Sequence, residues 1–362
     1  MPDHLHVALI SLARRGGMLH YQAELANAFA PLTRTSALAP ASVERDHFSN
    51  SVELHTVETG AGMAGTLLNT FNPLFHLRLY RTLKAIDADI YHVTGVHEWN
   101  PILAFIIKRL LRKPLFYTIH DPHHHPGAPL QLRLTDRLFR RSPRGFIAHT
   151  PHARPQLLET GIPAERLLTV FTGPFNLFKR WSQSDVQQED LILFFGRIEP
   201  YKGVDTLLQA APAILDAMPS WKMLIAGGGA LPADIPEHPR LLIENRFIPE
   251  EEVTRLMQRA KFVVMPYSSF TYSGVILIAY TFNLPIVSTE VDAIPEFIPH
   301  ERTGLLVPPN DPDAFAAAVI RLAHDEALRQ RISDNIPAFV EEKLSWEKLV
   351  EELLAFYAKR FK

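Results

Sequence analysis

Cysteine is absent from this chain of 362 residues. That excludes a disulfide framework, a thiolate metal site and a cysteine nucleophile, and it is compatible with a reducing cytoplasm. Long apolar runs are missing as well. Although 47% of the residues are hydrophobic, no stretch approaches the roughly 18 consecutive apolar residues that span a bilayer, and no signal peptide opens the sequence. A soluble, non-exported, cytoplasmic protein is expected. Charge of one sign is scarce overall, with 37 Lys+Arg against 39 Asp+Glu, and no nucleic-acid partner is expected. Internal repeats and low-complexity tracts do not occur. The fingerprint G-x-G-x-x-G is also missing, so nothing points to a dinucleotide cofactor.

What the chain does have is length enough for two domains, since one core rarely supports this many residues. It also has an internal asymmetry of charge. Residues 1–180 hold 20 Lys+Arg against 13 Asp+Glu, whereas the remainder hold 17 against 26. A basic N-terminal half suits an anionic acceptor or an anionic membrane surface. Two segments there, Phe71 to Lys84 and Ile106 to Lys113, join apolar residues to clustered cations. Helices lying on a membrane show that pattern, and so do buried helices with a solvated basic edge.

The most informative stretch is Leu193 to Leu208, LFFGRIEPYKGVDTLL. Leu191 to Phe195 reads as a strand buried on both faces of a parallel sheet, ended by Gly196. Arg197 and Lys202 follow in the loop before a helix that starts near Gly203 and Val204, with Leu207, Leu208 and Ala211 on its inner face. Two cations beside a helix N-terminus suit a phosphate, although two solvated surface charges would look the same. Further strands are expected at Lys222 to Ala226, before three glycines, and at Phe262 to Met265. The latter leads to Tyr267-Ser-Ser-Phe-Thr-Tyr-Ser273-Gly274-Val275 and an apolar helix. Leu284 to Ser288 is another, ahead of Ala293-Ile-Pro-Glu296, and Thr303-Gly-Leu-Leu-Val-Pro-Pro309 closes the series. Strands alternating with helices indicate an α/β doubly wound unit that binds ligands at the carboxyl ends of its strands.

Taken together, GRxxxxKG at Gly196 to Gly203, the Ser273-Gly274 helix start, the Pro295-Glu296 pair and TGLLVPP resemble the retaining GT-B glycosyltransferases of family 4, group 1. The resemblance spans nearly the whole chain and is closest over residues 190–325. It implies two Rossmann-like doubly wound domains facing a cleft. Residues 1–180 would bind the acceptor, 181–340 the nucleotide-sugar donor, and 341–362 would form a helix packing back on the first domain. It further implies that Arg197 and Lys202 hold the donor diphosphate together with Gly196 and the Ser273-Gly274-Val275 backbone. Phe247 and Ile248 would meet the nucleobase, and Glu296 would lie near the donor sugar, although the helix dipole alone favours a glutamate there. No metal or other cofactor is implied. One departure matters: the family's pair of glutamates around this helix start falls on Phe270 and Ile278. A subset of similar sequences shares the form S-G-V-x-x-x-A-Y in its place.

The N-terminal half has its own rhythm. A strand over His6 to Leu12 leads through Ala13-Arg-Arg-Gly-Gly17 to a helix over about Met18 to Ala30. Gly16 and Gly17 would let the backbone approach a donor or acceptor, or simply form a turn. Strands are expected at Ile90 to Val93, Leu115 to Ile119, Gly145 to His149 and Leu167 to Phe171. The run His120-Asp121-Pro-His-His-His125 follows the second of these. Consecutive histidines diverge and no second cluster has ligand spacing, which argues against a metal. The resemblance implies instead that His120 touches the transferred sugar or positions the acceptor, donating to a hydroxyl with a pKa near the working pH. A polar surface loop is the alternative. His97 and Glu98, after the preceding strand, would line the same acceptor side.

The expected function is hexosyl transfer, with retention, from a nucleoside diphosphate sugar to a saccharide or lipid-linked acceptor. Polysaccharide, glycolipid or related glycoconjugate synthesis at the inner face of a membrane would use it. Two alternatives stay open at this point: another GT-B activity such as sugar-nucleotide epimerisation, and a catalytically silent nucleotide-binding or partner protein, which the missing glutamates favour.

Overall fold

The computed structural model describes residues 5–14, 16–60, 62–122 and 129–361. It separates into two compact units, Met1–Thr172 with Trp346–Lys362, and Gly173–Ser345. The first is built on seven parallel strands: β1 His6–Ile10, β2 Arg34–Pro40, β3 Val52–Val57, β4 Ile90–Val93, β5 Leu115–Ile119, β6 Gly145–Ala148 and β7 Leu167–Thr169. Their order is β3-β2-β1-β4-β5-β6-β7. The order reverses at β1, where Ala8 sits opposite Ser36 on one side and Tyr91 on the other. Among the described residues six helices connect them: α1 Gly17–Phe29, α2 Gly62–Thr70, α3 Pro73–Ile86, α4 Asn100–Phe105 with a π-helical turn over Ile106–Leu110, α5 Leu130–Phe139 and α6 Ala153–Glu159.

Strand alternation sorts this unit into two layers. Ala8, Ile10, Tyr91, Tyr117 and Phe146 share one apolar core with Phe75, Leu79 and Leu83 of α3, Leu103 and Ile107 of α4 and its continuation, Phe139 of α5 and Leu157 of α6. Each fully buried Leu, Ile or Phe among them contributes about 1.5–3 kcal/mol. The alternate residues His92, Phe116 and Thr118 face the other side, towards α1.

The second unit carries six parallel strands: β8 Leu191–Phe195, β9 Lys222–Ala226, β10 Leu241–Glu244, β11 Phe262–Met265, β12 Ile286–Thr289 and β13 Gly304–Val307, in the order β10-β9-β8-β11-β12-β13. Its helices are α7 Val204–Ala217, α8 Glu250–Arg259, α9 Gly274–Thr281, α10 Ile294–Phe297, α11 Pro312–His324 and α12 Glu326–Lys343. The last helix, α13 Trp346–Phe361, returns to the first unit. It lies beside α1, with the Phe29 and Tyr357 rings stacked at 6.2 Å, and Tyr357 bonds His92 at 2.6 Å.

The division falls at Thr172 rather than at residue 180 because the intervening segment is anchored in the second unit. Phe175 N donates to Leu277 O, Phe178 is buried, and its carbonyl accepts from Thr254 Oγ1 at 2.9 Å. Nor do all strands keep their expected bounds. β12 starts at Ile286, since Leu284 N still closes the turn after α9 on Ala279 O.

Candidate functional site

The strands of the second unit end in loops that are fastened to one another. Gly196 N donates to Ala226 O and Ile198 N to Gly228 O, so the segments after β8 and β9 run side by side. Only glycine permits this: a Cβ on Gly227 would stand 1.8 Å from the Gly196 carbonyl oxygen. The turn Pro200–Lys202 then folds against the end of β11, with Ser268 N bonded to Tyr201 O at 2.9 Å. Gly203, at φ 66, leads into α7, and a Cβ there would lie 1.8 Å from Pro266 O.

This geometry drives Lys202 inward. Its side chain is on a residue only 7% exposed, with Nζ donating to the Tyr267 oxygen at 2.7 Å and lying 4.0 Å from that ring's centre. The Tyr267 hydroxyl is 3.4 Å from Ser273 Oγ, and Ser273 caps α9 by accepting from Val275 N at 3.3 Å. Burial raises the Tyr267 phenol above its ordinary value, so it stays protonated and can donate onward to Ser273. Lys202, Tyr267 and Ser273 thus form one buried polar chain at the start of α9. The cap occupies the Val275 N–H, so a phosphate at this helix start competes with Ser273 for it.

The other expected donor residues are placed less uniformly. Arg197 is held by Glu199 at 2.7 Å with its side chain 70% exposed, outside the buried set to which Lys202 belongs. Glu296 lies on the short helix α10 with its Oε2 atom buried. Phe247 is exposed whereas Ile248 is buried. Phe270 and Ile278, in the positions of the family's glutamates, are both buried; Phe270 packs on Phe297 with ring centres 5.8 Å apart. The Phe270 N–H is bonded by Asp292 Oδ2 at 2.7 Å, so a carboxylate from the loop after β12 now fastens this segment. Gly274 allows the Phe175 ring to close in, since a Cβ would meet it at 2.9 Å.

In the first unit, Gly16 at φ 81 precedes α1 and Gly17 begins it; nothing lies within 4 Å of a Cβ on either. His120 stands at the end of β5 with Nε2 2.8 Å from the Thr94 carbonyl. Nε2 must therefore donate. Burial lowers its pKa, against smaller opposing effects of that carbonyl and of Asp121, so the ring is neutral and Nδ1 is an acceptor. With Nε2 engaged by Thr94, Nδ1 is the ring atom left to meet a hydroxyl, and it would meet one as an acceptor. Beneath it lie His149, 4.9 Å away between ring centres, and His92, whose Nε2 and Nδ1 meet Thr118 and Tyr357 at 2.7 and 2.6 Å. Desolvation pushes His92 down to about 3. His97 Nδ1 accepts from Trp99 N at 3.1 Å and is 3.8 Å from Glu98. The histidines at 123–125 lie outside the described residues.

Sequence reasoning did not single out Tyr267, Asp292, His92 or His149. The only signal for Tyr267 was its place directly after Pro266 at a strand end, where ligand-facing side chains gather. Asp292 depends on loops after different strands meeting, and His92 and His149 on side chains that meet across β4, β5 and β6 and the helices beside them.

Two family models cover most of this chain. Residues 189–325 match the one described as Glycosyl transferases group 1, and residues 15–173 match Glycosyltransferase Family 4. An uncharacterized glycosyltransferase of Methanocaldococcus jannaschii is 30% identical over 303 residues, 76% of this chain and 77% of that protein. The alpha-D-kanosaminyltransferase of Streptomyces kanamyceticus is 25% identical over 281 residues, 70% of this chain and 72% of its own length. Among solved structures, Anabaena HepE in complex with UDP-glucose is similar at a TM-score of 0.72 and 17% identity, covering 97% of this chain and 100% of HepE.

Proposed function

Because this chain belongs to the group 1 glycosyltransferases of family 4, with the GT-B fold, we propose that its second unit takes a nucleoside diphosphate sugar and that the hexose passes, with retention, to a saccharide or lipid-linked acceptor. The carrying observation is the buried Lys202, bonded to Tyr267 beside the Ser273-capped start of α9 at the carboxyl end of a parallel sheet. As the sugar leaves, negative charge builds on the β-phosphate. A preorganised, desolvated ammonium and a helix start oppose that charge without reorganising. Arg197 would leave Glu199 to join them, with Gly196 giving the backbone room to approach. Glu296 would face the donor sugar, and the Phe247-Ile248 backbone the base.

In the first unit, His120 and the Gly16-Gly17 helix start serve the acceptor side and the sugar being moved. Chelation is expected to leave turnover unchanged, because the cationic side chains do the work of a metal. A bilayer-linked acceptor, used at the inner face of a membrane in polysaccharide or glycolipid synthesis, fits the basic character of this unit.

Thermal unfolding with UDP, GDP, ADP and CMP in turn tests the donor reading. A ligand at ~100 times its dissociation constant adds about 2.7 kcal/mol. One nucleoside diphosphate is expected to raise the midpoint of the wild type and not of Lys202→Met; if none raises either, the donor assignment fails.

A further inference from the structure

We propose that the outer surface of the α3–α4–α5 layer, centred on α5, docks on an anionic lipid bilayer. This deepens the membrane-facing part of the reading above, yet it stands on different residues. Helix α5 exposes Leu130, Leu134 and Leu138 at 68, 57 and 53%, one stripe at four-residue spacing. Arg133, Arg137 and Arg141, equally spaced and exposed, form a second stripe beside it. Inward, the helix buries Phe139 and Asp136, whose carboxylate takes Tyr117 Oη–H at 2.9 Å and Arg140 Nε–H at 2.7 Å. The leucines are therefore not the side of α5 that holds it to the sheet.

The neighbouring helices continue the pattern. α4 packs against α5 and exposes Phe105, and the π-helical turn that continues α4 exposes Lys108, Arg109 and Leu110. α3 is joined to the start of α4 by the Phe75 and Trp99 rings, 4.4 Å apart, and exposes Leu74, Leu77, Arg78 and Arg81. Over residues 73–86, 100–113 and 130–141 there are eleven lysines and arginines and a single carboxylate, the buried Asp136. A surface meant only for water carries both signs; a protein partner of ordinary composition would offer no such uniform complement. Just beyond these ranges the exposed Asp87, at the end of α3, pairs with Lys113 at 3.0 Å, so ten of the eleven cations have no exposed carboxylate on their own helices to meet. Apolar side chains in so cationic a field match the two parts of an anionic bilayer, acyl boundary and headgroup. Beyond Lys108, whose Nζ donates to Ser142 O, the cations go on through Arg144, Arg166, Lys359 and Arg360, which line one hollow with Glu165.

The test is sedimentation of the full chain with phosphatidylcholine vesicles, with and without phosphatidylglycerol, in the absence of any sugar donor. The wild type is expected to bind only the anionic vesicles. Leu130→Ser/Leu134→Ser/Leu138→Ser should lower that partition at least ~10-fold with an unchanged unfolding midpoint. Arg133→Ser/Arg137→Ser/Arg141→Ser should remove the preference for anionic lipid. A Leu134→Trp variant should shift its emission to the blue on anionic vesicles alone. The proposal is overturned if the wild type ignores anionic vesicles, if the leucine variant binds as well as the wild type, or if light scattering shows the leucines joining two copies of the chain instead. Nucleotide binding is read separately, so loss of one reading leaves the other standing.

Discussion

The two units are built on the same parallel-sheet plan, but among the described residues only the second buries a cation. The first, with 22 Lys+Arg against 16 Asp+Glu, wears them outside, beside ten of the thirteen large hydrophobic residues exposed among the described residues. The second, with 15 against 23, is acidic overall yet buries Lys202 at the end of its sheet. A cation on an open surface acts through its number and is weakened by salt, whereas one held in a dry site acts through its position. The difference teaches that charge count marks surfaces and burial marks sites.

That contrast is broken most severely by Lys202→Met, which keeps the length and removes the charge. Loss of a preorganised donor to a developing oxyanion should lower kcat/KM by about 10²–10³. The substitutions at Arg133, Arg137 and Arg141 should leave turnover of a water-soluble acceptor unchanged. Steady-state kinetics on both variants decides whether position or number matters, and equal losses would end the distinction.

A second contrast lies in the glycines that start the first helix after the key strand of each unit. Gly203→Ala should cost about 3 kcal/mol or more, because the new Cβ collides with the Pro266 carbonyl as well as meeting a left-handed backbone. Gly16→Ala meets nothing within 4 Å, so only its φ of 81 resists, at about 1–2 kcal/mol. Denaturant titration of the two variants ranks them; similar losses would mean that backbone conformation, and not the close approach of loops, fixes both.

Acid separates the units next. The first buries His92 and His149 beneath His120, among Tyr21, Tyr357 and Thr118 and with Asp121 beside His120, whereas His238, His300 and His324 of the second all lie outside its core. Desolvation lowers all three pKa values in the first unit, that of His92 to about 3. Each histidine is thus protonated in the unfolded chain before it is in the folded one. Their contribution to stability is complete above about pH 6.5 and is lost progressively as pH falls below it, for His92 down to about 3. Hydrogen exchange should show the first unit opening ahead of the second, and His92→Gln should shallow the slope; simultaneous opening would contradict the assignment.

Much of this was legible in the order of residues. Strands such as Leu191–Phe195 and Lys222–Ala226 stood out as apolar runs ended by glycine, and the helix after Ser273-Gly274 as a further apolar run. β2, β3 and β10 did not stand out: Val52–Val57 and Leu241–Glu244 lie at sheet edges and expose part of their length, so neither apolar continuity nor alternation marks them. Lys202 was legible as a cation near a helix start, but its inward turn was not. It depends on Gly203 approaching Pro266, a contact between segments more than sixty residues apart. For the same reason Arg197 and Lys202, equal as sequence, are unequal as structure.

The smallest expected effect tests how that inequality is maintained. Tyr267→Phe keeps the ring over which Lys202 Nζ lies and removes only the oxygen, 2.7 Å from Nζ and 3.4 Å from Ser273 Oγ. If Tyr267 acts by holding the ammonium in place, kcat should fall about 10-fold while the donor KM changes little, since the ammonium is still present but less well directed. The cost in stability should be about 1 kcal/mol, one net hydrogen bond, because the cation–π contact survives. If KM rises with kcat unchanged, Tyr267 instead contacts the bound donor, and the Lys202-Tyr267-Ser273 chain is part of the binding surface rather than its support.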